Sequence, residues 1–280
     1  MPFLERLGQP RLYYEFDDYT DPWKHAPCIM LQHGYARSSK FWRAWVPYLS
    51  RFYRVIRPDL RGLGQSSKDF DLDNGINLGA YLEDFNDLLD HLGVESVHYC
   101  GESSAGTLGM AFAAEYPRRV RTLTIISAPV AMTEEDKQSS LAGYPDRVEA
   151  LRKMGSRGWL EASNAGRRFP ADSAPALLEW TLEEMGKSDV EVLVSMFRFV
   201  STVDAAPYLP KISAPVLALY PMSGVITKEE HIDLLRSQLR DLSLVRIPLR
   251  AHSLQIVAPA TCALEVLYFI SQHDGIVCRE

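Results

Sequence analysis

The sequence predicts an α/β protein: a mostly parallel twisted sheet with helices on both faces and an inserted helical cap. Two observations carry this expectation. Apolar runs of strand character at 28–32, 53–59, 97–101, 120–127 and 214–220 alternate, up to about residue 130, with segments of helical period. The alternation then lapses over 131–208, where helical periodicity continues without a convincing strand.

Each element has a local reason. Residues 11–16 read as a strand, and 17–22, rich in Asp and closed by Pro22, as a turn. The run Cys28, Ile29, Met30, Leu31 has no polar alternation, so that strand is buried on both faces. Phe41, Trp42, Trp45 and Leu49 share one helical face. Over 77–92, Leu78, Tyr81, Leu82, Phe85, Leu88, Leu89 and Leu92 recur at three and four with acids opposite, and Gly93 caps the end. A helix from Ser104 runs to Tyr116, where Pro117 stops it. Inside the lapse, helices are expected near 145–154, 174–187 and 189–200, broken by Gly155, Gly158, Gly166, Pro170 and Pro175. Beyond it come a strand at 214–220, a helix near 228–239, a strand at 244–248 and a last helix near 259–270. The organisation is therefore a core of 1–130 and 209–280 with a cap of 131–208.

Composition bounds the function. A chain of 280 residues holds one large α/β domain with an insertion, or two small ones. Apolar residues at 46% and charged residues at 24% are ordinary for a soluble enzyme, and a net charge of −6 gives no footprint for nucleic acid or an anionic membrane. No apolar run approaches the ~20 residues of a membrane span, and the first residues lack the apolar region of a signal peptide. Cys28, Cys100, Cys262 and Cys278 are scattered, so reduced thiols and a cytoplasmic location are expected. No His, Asp or Glu cluster has metal spacing, and neither a metal nor a cofactor is expected.

The stretch Gly101-Glu102-Ser103-Ser104-Ala105-Gly106 joins a strand to a helix without a loop. Such an abrupt turn forces its apex residue toward positive φ and leaves room only for small residues two before and two after it. Gly101 and Ala105 meet that demand if the apex is Ser103; Ser104 would place bulky Glu102 in the tight position. The other reading of Ser103 is an ordinary helix N-cap.

This turn resembles the nucleophile elbow of the α/β-hydrolases, G-x-S-x-G, with Ala105 for the final glycine. Three further stretches fit the same family in the same order. They are His33-Gly34 after a strand, the turn Asp59-Leu-Arg-Gly-Leu-Gly-Gln-Ser66, and His252 after the last strand. The resemblance implies the α/β-hydrolase fold, and within it the small cap-bearing enol-lactone, ester and carbon–carbon bond hydrolases. It implies Ser103 as nucleophile, His252 as base, and the backbone N–H groups of Tyr35 and Ser104 as the oxyanion hole. Dehalogenase and epoxide-hydrolase branches need Asp at the elbow and do not fit. Trp159, Phe169, Trp180, Met196, Phe197 and Phe199 supply apolar surface to the cap, and Arg167 and Arg168 are candidates to anchor a substrate carboxylate.

One position departs from the family. Gly224 stands where the triad acid is expected, and Ser127 occupies the alternative position. Glu229 and Glu230 are weak candidates to reach back, and the default is a Ser103–His252 dyad oriented by a hydroxyl or carbonyl. The expected function is a cofactor-independent serine hydrolase of a small organic ester, lactone or vinylogous diketone. Cofactor-free dioxygenation or lyase chemistry with His252 as base stands as the alternative, and a non-catalytic receptor-like protein behind it. A small molecule is the expected partner; a homodimer is left open.

Overall fold

The protein is described by a computed structural model covering residues 2–138, 141–164, 168–223, 226 and 228–278. Its elements in chain order are β1 (Phe3–Leu4), β2 (Leu12–Asp17), β3 (Cys28–Gln32), a 3₁₀ helix (Ser39–Trp45), α1 (Val46–Leu49), β4 (Arg54–Pro58) and α2 (Leu78–His91). Then come β5 (Val97–Glu102), α3 (Ser104–Glu115), β6 (Val120–Ile126), α4 (Glu134–Gln138), α5 (Arg147–Asn164), α6 (Pro175–Gly186) and α7 (Val190–Thr202). A 3₁₀ helix (Ala206–Lys211) leads to β7 (Val216–Ser223), α8 (Glu229–Gln238), β8 (Leu242–Arg250), α9 (Leu254–Val257) and α10 (Pro259–Asp274).

The described strands form an eight-stranded sheet in the order β1-β2-β4-β3-β5-β6-β7-β8. It is parallel from β4 to β8, and β2 runs antiparallel to both of its neighbours. Alternate residues of one strand feed two cores. Cys28 and Met30 of β3 join the core under α2 and α3, whereas Ile29 and Leu31 join the core formed with Trp42, Trp45 and α10. This double burial is what the unbroken apolar run of β3 requires. Helix boundaries follow capping chemistry: the Asn77 side chain accepts the Ala80 N–H at 2.9 Å to start α2, and Gly275 at φ 66° ends α10.

The segment between β6 and β7 is helical. α5 bends at Gly155, whose φ of 71° is outside the helical range. Trp159 and Leu160 of α5, Met185 of α6 and Val192 to Val194 of α7 are buried in the same core as α2 and α3. Rings fasten this layer to the sheet domain: Trp180 packs on Phe41 at 4.9 Å and Phe199 on Tyr81 at 5.4 Å between centroids. Ion pairs Lys40–Glu184 and Lys68–Asp189 close its rim at 3.0 and 2.7 Å. Among the described residues no helix is long and apolar enough to cross a membrane.

Candidate active site

β5 ends at Glu102 and α3 begins at Ser104, so Ser103 alone makes the turn, with φ 55° and ψ −128°. A non-glycine residue there is strained and is held only by its surroundings. The Ser103 N–H donates to the Ile126 carbonyl at 2.9 Å, and the Tyr99 hydroxyl donates to the Ala105 carbonyl at 2.8 Å. A side chain at Gly101 would put its Cβ 2.5 Å from the Ala105 carbonyl oxygen, so only glycine lets strand and helix approach this closely. The Ser103 side chain makes no capping bond, which sets aside the N-cap reading.

His252 follows β8 and is buried, with Nε2 3.0 Å from Ser103 Oγ. The N–H groups of His252 and Ser253 both donate to the Arg168 carbonyl at 3.1 Å, so the loop entering α6 holds the imidazole loop. Tyr35 comes from the loop after β3. That loop closes on the elbow because residue 34 is glycine: a Cβ there would lie 2.7 Å from the Glu102 carbonyl oxygen and 3.2 Å from Ser103 Cβ.

His33 has a structural place. Its Nδ1–H donates to the Gly34 carbonyl at 2.9 Å, and its Nε2 accepts the Leu60 N–H at 3.0 Å. Burial pulls its pKa down to about 4, which keeps the ring neutral and able to make both bonds. Asp59 accepts the Ser39 and Gln65 N–H groups at 2.6 and 2.8 Å, and Arg61 grips Asp84 through two 2.7 Å bonds. The Asp59–Ser66 turn thus braces the site from outside.

Tyr35, Ser103, Ser104 and His252 line one cavity of about 120 Å³. Trp159, Phe197 and Val200 form its apolar wall, and Arg147 and Arg168 also line it; among the described residues that line it none is Asp or Glu. Met196 and Phe169 are buried, and Trp180 and Phe199 make the packing contacts given above rather than lining the cavity. Arg167 and Gly224 lie outside the described residues.

The two acids weighed from the sequence point elsewhere: Glu229 pairs with Arg246 at 2.6 Å, and Glu230 is exposed. Glu135 pairs with Lys228 at 2.5 Å and Glu134 with Lys137 at 2.6 Å. Ser127 is buried at φ 47°. His231 is buried, its Nδ1 accepting the Val130 N–H at 3.4 Å. The carboxylate brought to His252 belongs to Glu102, whose Oε1 lies 3.7 Å from Nε2. Glu102 is fully buried and paired with the buried Arg37, which also donates to Ser253 Oγ at 2.8 Å. The sequence weighed Glu102 only for its bulk. The available signal was an acid closing a strand buried along its whole length, where a charge needs a partner. Among the described residues no three His, Cys, Asp or Glu side chains gather as metal ligands.

A strained serine between a parallel strand and a helix, faced by an imidazole at the carboxyl edge of the sheet, defines the elbow class of α/β proteins. A family model of the alpha/beta hydrolase fold matches residues 27–259, and the chain belongs to this family. It is 26% identical over 241 residues to the strigolactone esterase D14 of Arabidopsis thaliana, covering 84% of this chain and 89% of that protein. It is 26% identical over 207 residues to 3-oxoadipate enol-lactonase 1 of Acinetobacter baylyi, covering 73% of this chain and 74% of that protein. In structure it resembles the enol-lactonase of Burkholderia xenovorans LB400, with TM-score 0.86 and 22% identity over 96% of this chain and all (100%) of that one. At that identity the structural likeness bears on the fold.

Proposed function

We propose that this protein is a cofactor-independent serine hydrolase of a small organic ester or lactone. The observation that carries the reading is the 3.0 Å approach of His252 Nε2 to Ser103 Oγ at a cavity wall. A serine hydroxyl is a weak nucleophile at neutral pH and needs a base in hydrogen-bond reach. His252 takes the Ser103 proton as Oγ attacks the acyl carbon, then gives it to the leaving oxygen; water repeats the two steps to free the acid. The N–H groups of Tyr35 and Ser104 receive the developing oxyanion. Neither N–H is used in a backbone hydrogen bond among those described, and both residues line the cavity, which supports that role.

The cavity also limits the substrate. A volume of about 120 Å³ is close to what one six-membered ring fills, so a compact acyl group fits. Arg147 and Arg168 in the cavity lining favour a substrate that carries a carboxylate. The esterase and enol-lactonase names of the relatives agree with carboxylic ester bonds as the target. Steady-state hydrolysis of a panel of small esters and lactones tests the reading. Turnover lost in both Ser103→Ala and His252→Ala supports it; undiminished turnover in Ser103→Ala removes it.

A further inference from the structure

We propose that Glu102 is a positioning residue for the reaction: its carboxylate stabilises the His252 imidazolium from the nucleophile's side of the ring. The proposal rests on the serine–histidine reading above. Glu102 is fully buried at the end of β5, one residue before Ser103. Arg37 occupies Oε2, and through its second nitrogen holds Ser253, the neighbour of His252. Three loops are thereby tied at one point: the one after β3, the elbow, and the one after β8. The other oxygen, Oε1, has no hydrogen-bond partner among the described residues and faces His252 Nε2 at 3.7 Å.

A buried carboxylate oxygen left without a donor is costly, and its place beside the base gives a reason for it. In the resting site Nε2 offers a lone pair to the Ser103 proton, so Oε1 has nothing to accept. When that proton moves to Nε2, the ring gains an N–H and a positive charge, and the same 3.7 Å separation becomes attractive. An interaction that is stronger in the transition state than before it raises kcat rather than tightening substrate binding. Glu102 itself neither gains nor loses a proton in this cycle.

The surrounding charges strengthen the argument. Among the described residues Glu102, with Arg37 behind it, brings a carboxylate to 3.7 Å from the His252 ring, while Arg147 and Arg168 line the same cavity as His252. A positive charge forming on the ring is thereby met by an anion on the nucleophile's side.

The test uses the full chain, p-nitrophenyl acetate as substrate, and fluorophosphonate titration to count competent serines. Glu102→Gln, which keeps the shape and removes the charge, lowers kcat per titrated serine by about tenfold or more while KM stays within about twofold. Its acid limb of kcat/KM moves to lower pH, because a neighbouring anion had favoured the protonated ring. Glu102→Asp, which keeps the charge, moves the limb back toward the parent. A merely structural role would reduce the count of competent serines and leave kcat per serine and the acid limb in place; that result overturns the proposal. If Glu102→Gln strands the Arg37 charge and fails to fold, the neutral pair Arg37→Gln/Glu102→Gln is read for the same two quantities, with the same results expected. Active Ser103→Ala would instead refute the serine reading, so the two failures are distinct.

Discussion

Ser103 Oγ and His252 Nε2 stand 3.0 Å apart, although 149 positions separate them in the chain. Their strands are not neighbours: β6 and β7 lie between β5 and β8, a span of about 14 Å at the usual strand spacing. The loop after β8 must therefore lean back across the sheet edge, and the Arg168 carbonyl, accepting from two successive N–H groups, holds it there.

Removal of the apex hydroxyl separates chemistry from stability. Ser103→Ala lowers ester turnover by about a thousandfold or more, with unfolding free energy within about 1 kcal/mol of the parent. Ser104→Ala keeps most activity, because its hydroxyl has no hydrogen-bond partner among the described residues and its proposed role lies in the backbone. Steady-state kinetics and denaturant melts check both; a dead Ser104→Ala beside an active Ser103→Ala would contradict the apex assignment.

Gly34 admits the approach of the Tyr35 loop to the elbow. In Gly34→Ala the new Cβ meets the Glu102 carbonyl at 2.7 Å, and backbone rather than side chain must yield. Overpacking of this kind costs about 1–3 kcal/mol, and activity falls with the displaced Tyr35 N–H. Gly8→Ala, where the added carbon meets no neighbour and only the φ of 72° is strained, costs about 1 kcal/mol and leaves activity per folded molecule unchanged.

His33 gives a pH signature to stability. Its folded pKa of about 4 lies below the ordinary value of 6.5, so the unfolded chain binds the proton first. The contribution is present above pH 6.5 and is lost as pH falls through about 4, by about 3 kcal/mol in the limit. Denaturant midpoints at pH 7 and pH 4.5 should therefore fall further apart in the parent than in His33→Gln. Equal gaps would mean that His33 is not held neutral.

The sheet was legible because its strands are continuous apolar runs: β3 was read with its observed ends, and β4 to β6 within two residues. β1, of two residues, is too short to carry a period. Gly155 reads as a breaker and is one: at φ 71° and ψ 171° it leaves the helical range, so α5 is two helices meeting at a kink, whereas the backbone stays helical through Gly158. Ser103 and His252 were legible through local turn chemistry and family likeness. Glu102 was not, since its partner Arg37 is 65 positions away and no local pattern links them.

The proposed preference for an anionic substrate rests on Arg147 and Arg168 in the cavity lining. Arg168→Met leaves the backbone carbonyl that holds His252 and removes one cation from the cavity. The KM for a carboxylate-bearing ester then rises by about tenfold, while a neutral ester of the same size is little affected. A parallel change for both esters would argue against an anionic substrate.

The central claim is that Ser103, activated by His252, is the group that attacks. Intact-protein and peptide mass spectrometry after treatment with a fluorophosphonate measures it most directly. The expected result is one phosphonyl adduct per chain on the peptide containing Ser103, absent in Ser103→Ala and formed far more slowly in His252→Ala. An unmodified chain, or an adduct that persists in Ser103→Ala, would contradict the account.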